Sequence, residues 1–179
     1  YRCMVDLMGH KDLGGKTVLY LVDGLFAGYS AGFVNPPVRY RMWDGPGQPE
    51  WPGLVLASQD PVAIDSVGFD VLWEEGDVSW NYRPYNGTND DGDACTPHLS
   101  RVKGGDDYLH EAALADAAPS GTVYDPERDG VPLGSLGVHE HWTKLGGFEV
   151  PWQERYKYSR NLGTGTGIEL IVAQPRIAG

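Results

Sequence analysis

Cysteine is scarce in this sequence, whose 179 residues include only Cys3 and Cys95. A cysteine-ligated iron–sulfur cluster needs about four thiolates, so this segment cannot hold one by itself. The spacing of the two cysteines leaves two alternatives open, a disulfide that closes a long loop or two separate thiols. The number of cysteines therefore excludes an iron–sulfur cluster held by this segment alone, but it does not decide whether Cys3 and Cys95 are bonded.

Basic residues and long apolar runs are also few. The chain has 14 Lys and Arg against 25 Asp and Glu, which gives a net charge of -11. Such an acidic chain repels phosphate backbones, so nucleic acid is excluded as a partner. No apolar run reaches the roughly 18–20 residues that a membrane-spanning helix needs, so no membrane span is predicted. The hydrophobic fraction of 41% is nevertheless enough for a packed core.

The sequence has neither an initiator Met nor the basic start and apolar stretch of a signal peptide. We expect that it begins inside a longer precursor, in which case a targeting signal would lie in the missing part.

Two short apolar runs, residues 17–22 and 54–57, are typical of strands that are covered on both faces. Asp60 and Pro61 follow the second run and form a helix start signal, because Asp caps the first turn and Pro fits its first position. Apolar residues then recur at helical spacing over about residues 61–75. This strand–turn–helix unit predicts an α/β fold with a parallel or mixed sheet.

The rest of the chain is rich in aromatic residues, glycine and proline, with 25 Gly and 13 Pro. Long loops are therefore predicted, including a loop-rich insertion over about residues 76–167 that contains a short helix at about 106–117. A late strand is predicted over residues 168–173. We interpret residues 1–179 as a single α/β domain, or the C-terminal part of one, with few helices and long Gly/Pro/aromatic-rich loops.

Asp23 and Asp60 each follow a predicted strand. If the strands are parallel neighbours, their carboxyl ends meet at one crevice, where two carboxylates would bind a divalent cation or share acid–base catalysis. Alternatively, Asp60 is only a helix cap and Asp23 only a turn residue. Asp65, one turn into the helix, is interpreted as a partner of the helix dipole rather than a catalytic group.

Two acidic clusters predict a calcium-ordered loop. Asp125, Glu127 and Asp129 stand at positions 1, 3 and 5 of a pattern whose position 6 is glycine, as in the opening of a calcium loop. The acid expected at position 12 is missing, so a plain turn is the alternative. Asp91 and Asp93 lie in a second segment that is dense in oxygen ligands. Calcium is therefore the divalent ion that we predict first.

His139 and His141 are the only histidines close together in the sequence. In an extended segment, alternate side chains point to one face, so both imidazoles can bind Zn²⁺, Cu²⁺ or Fe²⁺. The alternative is an unligated pair that makes ordinary loop hydrogen bonds. The isolated histidines, His10, His98 and His110, are interpreted as structural.

Residues 54–66 read L-V-L-A-S-Q-D-P-V-A-I-D-S, a strand followed by the pattern S-x-D-P-V-A-x-D. This pattern resembles the C-terminal half of the family called domain of unknown function 362. Residues 120–126, 135–142 and 158–163 resemble a subgroup of long, exported members of that family. The resemblance implies an α/β fold, export from the cytoplasm and a missing N-terminal half as a partner. Some members carry ferredoxin-like cysteine motifs, which this chain lacks.

Together these features predict an exported, metal-binding α/β protein located in the periplasm or secreted. One hypothesis is an enzyme with Asp23 and Asp60 as catalytic residues at the strand ends. The other is an interaction or structural module of the cell envelope, bound to another protein chain, in which a cation only stiffens loops.

Overall fold

The structure is a computed structural model that describes residues 2–26, 39–40, 42–43, 50–79 and 106–173, with backbone only at 76–79. Cys95, Asp91, Asp93 and His98 lie outside the described residues, and Cys3 is a free, exposed thiol. The described part contains four α-helices, four strands and two short 3₁₀ turns: α1 (Arg2–Gly9), the turn Gly14–Lys16, β1 (Tyr20–Gly24), β2 (Leu54–Ser58), α2 (Pro61–Ser79), α3 (Asp107–Ala113), the turn Ala115–Ala117, β3 (Thr143–Lys144), α4 (Trp152–Arg155) and β4 (Tyr156–Lys157).

Residues 20–22 of the first predicted run and the whole second run form one sheet, and the predicted helix packs against it, as the sequence indicates. Residues 17–19 are not part of the strand, which continues instead to Gly24. Their pairing is antiparallel, with Tyr20 opposite Ser58 and Gly24 opposite Leu54. β3 and β4 form a second small antiparallel sheet. The regular secondary structure of the described part of the chain thus consists of helices and two small antiparallel sheets. This corrects the prediction of a parallel or mixed sheet.

The side-chain exposure of β1 and β2 explains this difference. Burial alternates along both strands, and the outer face leaves Leu21 64% and Val55 60% exposed. The sequence prediction assumed that a continuous apolar run is covered on both faces, as in parallel sheets. Here the apolar side chains of the outer face remain exposed, so the run carries no information on strand direction.

Residues 168–173 are also not a strand in the structure. Ile168 is buried beside Val67 and Tyr158, and Asn161 holds the backbone of Leu170 through hydrogen bonds from both sides of its amide. The apolar character of this segment therefore reflects packing onto α2 rather than sheet pairing.

α2 is the central element of the described chain. It contributes Val62 and Phe69 to one apolar cluster, Val71 to a second and Val67 to a third. α1 and α3 pack together in the first of these clusters. A helix that is covered on several sides also buries polar residues, and those of α2 turn out to position the candidate site.

Asp60 caps α2, as one of the two interpretations of the sequence proposes. Its Oδ1 atom accepts a hydrogen bond from the backbone N–H of Ala63 (2.8 Å), and its Oδ2 atom accepts one from Val138 (2.9 Å). The Asp60 carboxylate thus caps the first turn of α2 and also binds the backbone of the segment that carries His139 and His141.

Replacing Asp60 is expected to destabilise the fold. We expect Asp60→Ala to lower the free energy of unfolding by about 1–2 kcal/mol, because a helix cap is lost. Asp60→Asn keeps an acceptor for the cap and should lose less. Urea unfolding measures both, with the exposed Asp116→Ala as control. Equal midpoints for Asp60→Ala and the parent protein would contradict the capping role.

Among the described residues, no helix combines the length and the apolar character that are needed to cross a bilayer.

Candidate metal centre

A stripe of polar side chains runs along the buried side of α2. Ser66, Asp70 and Glu74 follow one another at intervals of four residues, and all three are buried. Four residues advance a helix by about 6 Å, so the three side chains lie one above another on one face. Buried polar groups need partners, and the partners of this stripe come from one extended segment, residues 138–144.

The segment 138–144 runs alongside the stripe in matching register. Ser66 contacts His139, Asp70 contacts His141, and Glu74 accepts a hydrogen bond from Lys144. Two residues of an extended chain advance about 6.6 Å, nearly the four-residue rise of the helix. His139 and His141 are alternate residues of the segment and therefore meet successive residues of the stripe, which places both imidazoles on the helix side. Lys144 lies three residues beyond His141, outside this alternation, and reaches Glu74 with its long side chain.

Ser66 fixes the orientation and the tautomer of His139. The Ser66 hydroxyl donates its single proton to the carbonyl oxygen of Val62 (2.7 Å), so at its contact with His139 Nδ1 (2.8 Å) it must accept. His139 Nδ1 therefore carries the proton and Nε2 carries the lone pair. The side chain of His139 is 3% exposed, and its Nε2 atom has no hydrogen-bond partner among the described residues.

Asp70 orients His141. Asp70 is completely buried, and its Oδ1 atom accepts a hydrogen bond from His141 Nδ1 (2.7 Å). Its Oδ2 atom accepts from the backbone N–H of Trp142 (2.9 Å) and from the hydroxyl of Tyr158 (2.9 Å). A carboxylate on Nδ1 of a histidine is the usual support of a metal-ligating imidazole, because it leaves Nε2 to face the ion.

α3 supplies an aspartate and a third histidine. Asp106 immediately precedes the helix and His110 lies one turn further, so both side chains project to the same side. The Asp106 side chain makes no capping hydrogen bond to α3 and instead points at the imidazoles of the 138–144 segment. Asp106 is buried, whereas the His110 side chain is half exposed.

One ligand atom from each of Asp106, His110, His139 and His141 lies within 4.8 Å of the others. Asp106 Oδ2 is 3.0 Å from His141 Nε2, 3.5 Å from His110 Nε2 and 3.9 Å from His139 Nε2. Four ligands at about 2.0–2.2 Å from a tetrahedral ion are about 3.3–3.6 Å apart. The observed separations bracket this value, so the arrangement fits a transition-metal ion with small side-chain adjustments.

The electrostatics of the group also suit a cation. Burial lowers the pKa of His139 to about 4, with help from the neighbouring imidazoles of His110 and His141, so His139 is neutral and able to ligate at neutral pH. Burial alone would raise the pKa of Asp106, but the hydrogen bond from His141, a backbone hydrogen bond and the charges of His141 and His110 together outweigh it, and the pKa is lowered. Asp106 is therefore an anion and His139 a neutral donor, the protonation states that metal binding requires.

The structure brings together the predicted pair His139 and His141 and adds two residues that the sequence interpretation missed. The sequence interpretation treats His110 as structural and does not consider Asp106. The available signal was the Asp106-x-x-x-His110 spacing, which puts two ligands on one side of a helix start. Glu140, between the two histidines, faces the other way and accepts hydrogen bonds from the backbone N–H groups of Ser159 and Ile168.

The predicted calcium ligands have protein partners in this structure. Asp125 accepts hydrogen bonds from the backbone N–H groups of Asp129 and Gly130, and Asp129 accepts one from Val131. Glu127 pairs with Lys11 at 2.8 Å. The three carboxylates thus act as turn-forming and ion-pairing groups, and calcium binding there stays a prediction.

Asp23 and Asp60 do not converge on one crevice. Because β1 and β2 are antiparallel, Asp23 lies opposite Val55 near the start of β2, while Asp60 follows the other end of that strand. Asp23 accepts a hydrogen bond from the backbone N–H of Leu25 (3.0 Å), which is a turn contact. The prediction of a shared strand-end site is therefore wrong, and its reason is the strand direction.

Asp91 and Asp93 lie outside the described residues, so their predicted role is not addressed by this structure. Comparison with known proteins adds no family assignment: no family model, curated protein or solved structure matches this chain, and the resemblance to the domain of unknown function 362 family stays a prediction.

Proposed function

We propose that this protein binds a divalent transition-metal ion through Asp106, His110, His139 and His141. The ion would join the segment 138–144 to α3. It would lie at the Nε2 side of the His139 and His141 rings, whereas α2 contacts their Nδ1 side. Three structural elements would then be held at one point in a part of the chain with little regular structure. The first function we assign to the ion is therefore to fix this arrangement.

The unpaired Nε2 atom of His139 is the observation that carries this proposal. It is buried, it holds a lone pair because Ser66 fixes the proton on Nδ1, and it has no hydrogen-bond partner in the described part of the chain. A buried polar atom without a partner costs about 1–3 kcal/mol. A metal ion among the four ligands would satisfy this atom.

The donor atoms favour zinc among the available ions. Three imidazole nitrogens and one carboxylate oxygen suit Zn²⁺, Cu²⁺ or Fe²⁺, whereas Ca²⁺ takes six to eight oxygen ligands. Four protein ligands fill a tetrahedral zinc shell, as in structural zinc sites. Calcium remains a separate prediction for Asp125, Glu127 and Asp129.

A reactive metal centre is the second candidate function. His110 is half exposed, so this side of the site faces solvent. Replacement of His110 by a water molecule, or expansion to five ligands, would open a coordination position for a substrate. The enzyme hypothesis thus shifts from Asp23 and Asp60 to this histidine cluster.

Zinc titration of the metal-stripped protein by calorimetry tests the proposal. We expect one Zn²⁺ per chain, and we expect His139→Asn to weaken binding by at least about 100-fold, since loss of an outer-shell partner alone costs about 10–100-fold. Asn retains an amide near Ser66 while removing Nε2. We expect a smaller loss for His110→Ala, because water can replace an exposed ligand.

His10→Ala is the matched control, because His10 lies outside the cluster and contacts Asp12 and Glu127. It should bind zinc as the parent does. Equal zinc affinity of the parent and His139→Asn would overturn the proposed site. Binding of Ca²⁺ that is lost in Asp125→Asn with Asp129→Asn, while zinc binding is retained, would assign calcium to the acidic loop.

We further propose that the protein acts outside the cytoplasm, in the periplasm or as a secreted protein. The acidic charge, the low cysteine content and the resemblance of residues 135–142 and 158–163 to exported proteins support this location. The exposed apolar face of β1 and β2 supports contact with another protein chain. Sequencing the full gene and fractionating cells test the location.

A further inference from the structure

A second candidate site lies on the other side of α2, against the sheet. A cavity of about 440 Å³ opens there between the inner face of β1 and β2, α2 and the start of α3. Ligand-binding cavities have volumes of about 300–1,000 Å³. None of the four proposed metal ligands lines this cavity, although the Phe69 ring lies between the two sites, 6.0 Å from the His141 ring.

The cavity is mainly apolar and carries negative charge. Val22, Leu54, Phe69 and Leu72 line it together with other apolar side chains, and the Asp65 carboxylate borders it. Asp23 also touches the cavity, but it belongs to the exposed outer face of β1. Within the described part of the chain, its lining contains no Lys, Arg or His. A carboxylate beside an apolar wall, without a cationic partner among the described residues, is complementary to an organic cation.

Asp65 is the better placed of the two carboxylates. Its Oδ2 atom accepts a hydrogen bond from the Tyr108 hydroxyl (3.2 Å), which orients the carboxylate. Burial raises the pKa of Asp65, because the charged form is poorly solvated there. A cation next to this carboxylate would replace the lost solvation, whereas an anion would add repulsion.

Gly68 keeps the cavity open. It lies within α2 and lines the cavity, and a Cβ atom built at this position would meet no atom within 4 Å. Glycine inside a helix is less favourable than alanine. The helix thus has glycine at a position where a side chain would fit, and this side chain would reduce the cavity.

We propose that this cavity binds a small organic cation, with an ammonium group at Asp65 and an apolar body against Phe69 and Leu72. A bare metal ion is poorly suited, since most of the lining lacks oxygen ligands. The proposed ligand class is therefore an amine with an aromatic or branched aliphatic group.

Titrations of the zinc-loaded protein with three probes of similar shape test the charge preference by NMR. The probes are 2-phenylethylamine, the neutral 2-phenylethanol and the anionic 3-phenylpropionate. We expect the amine to bind with a dissociation constant of about 1 mM or tighter, as its nine non-hydrogen atoms allow. The alcohol should bind at least about tenfold more weakly, which corresponds to loss of one ion pair in a partly buried site. The carboxylate should not bind measurably.

Variants then locate the site. Asp65→Asn should weaken amine binding at least about tenfold, while the exposed Asp116→Asn should leave it unchanged. Gly68→Leu should abolish binding by filling the cavity, and Gly68→Ala should raise the melting temperature while weakening binding. Because Gly68→Ala is expected to fold better than the parent, loss of binding in this variant is not explained by unfolding.

Three results would overturn the proposal. The first is equal affinity for the amine and the alcohol, which would show an apolar pocket without charge selection. The second is full amine affinity in Asp65→Asn, and the third is full affinity in Gly68→Leu. Zinc binding is measured on each variant, so failure here is distinguishable from failure of the metal site.

Discussion

Zinc-loaded protein is expected to melt about 8–16 °C above the same protein in a chelator. An ion that binds only the folded state contributes about 4.1 kcal/mol when its free concentration is 1,000 times its dissociation constant. For chains of this length, each kcal/mol shifts the melting temperature by about 2–4 °C. Selectivity for the folded state is expected because the ligands come from α3 and from the segment 138–144, which unfolding separates.

Calorimetric scans in zinc and in EDTA measure this shift. His139→Asn should show a shift of at most about 3–6 °C, because binding weakened 100-fold leaves free zinc at only about ten times the dissociation constant. His10→Ala should show the full shift. A parent protein whose melting temperature is the same in zinc and in EDTA would contradict the proposal that the ion joins these elements. An undiminished shift in His139→Asn would place the ion elsewhere.

Local signals in the sequence were sufficient for the secondary structure around α2. Asp60-Pro61 marks the start of the helix, and the capping contact to Ala63 confirms the reason for that start. The runs at 17–22 and 54–57 are predicted as strands because they are short, continuous and apolar. These signals act within a few residues, so they can be read without knowledge of the tertiary structure.

Strand direction was not available from the same signals. Residues 25–53 connect β1 to β2 and permit either direction, and apolar side chains on the outer face removed the alternation that marks an antiparallel strand. The position of Asp23 relative to Asp60 depends on this direction alone. The predicted catalytic pair was therefore wrong even though both strands were found.

The candidate metal centre is predictable in part for a similar reason. His139 and His141 alternate in one short segment, so their common face follows from local geometry. Asp106 and His110 share a side of α3, but their approach to the histidine pair depends on how α3 and the segment pack around α2. The polar stripe Ser66, Asp70 and Glu74 indicates that a polar partner covers α2, without saying which segment it is.

The polar stripe links the fold to the proposed function. In a helix packed on several sides, three buried polar residues are costly unless each is paired. Ser66 and Asp70 are paired with the Nδ1 atoms of two histidines, which leaves the Nε2 atoms directed to Asp106. The same contacts thus compensate for burial and present the ligand atoms of the metal centre.

Asp70→Asn is expected to weaken zinc binding by about 10–100-fold, the usual effect of losing a carboxylate that supports a ligating histidine. An asparagine amide has one acceptor oxygen, whereas Asp70 accepts hydrogen bonds through both oxygens. If the new NH₂ group faces His141, the imidazole must take the tautomer with its lone pair on Nδ1, and Nε2 then carries a proton and cannot ligate. If it faces Trp142 and Tyr158 instead, two buried donors lose their acceptor.

Glu74→Gln is the matched control, because Glu74 belongs to the same buried stripe and pairs with Lys144 rather than with a histidine. Both variants are expected to lose about 1–3 kcal/mol of stability without metal, since each changes a buried hydrogen-bonded carboxylate. Only Asp70→Asn should also change the zinc dissociation constant and the visible spectrum of the Co²⁺-substituted protein, which reports ligand geometry. If both variants bind zinc with the affinity of the parent, Asp70 supports the fold and not the metal centre.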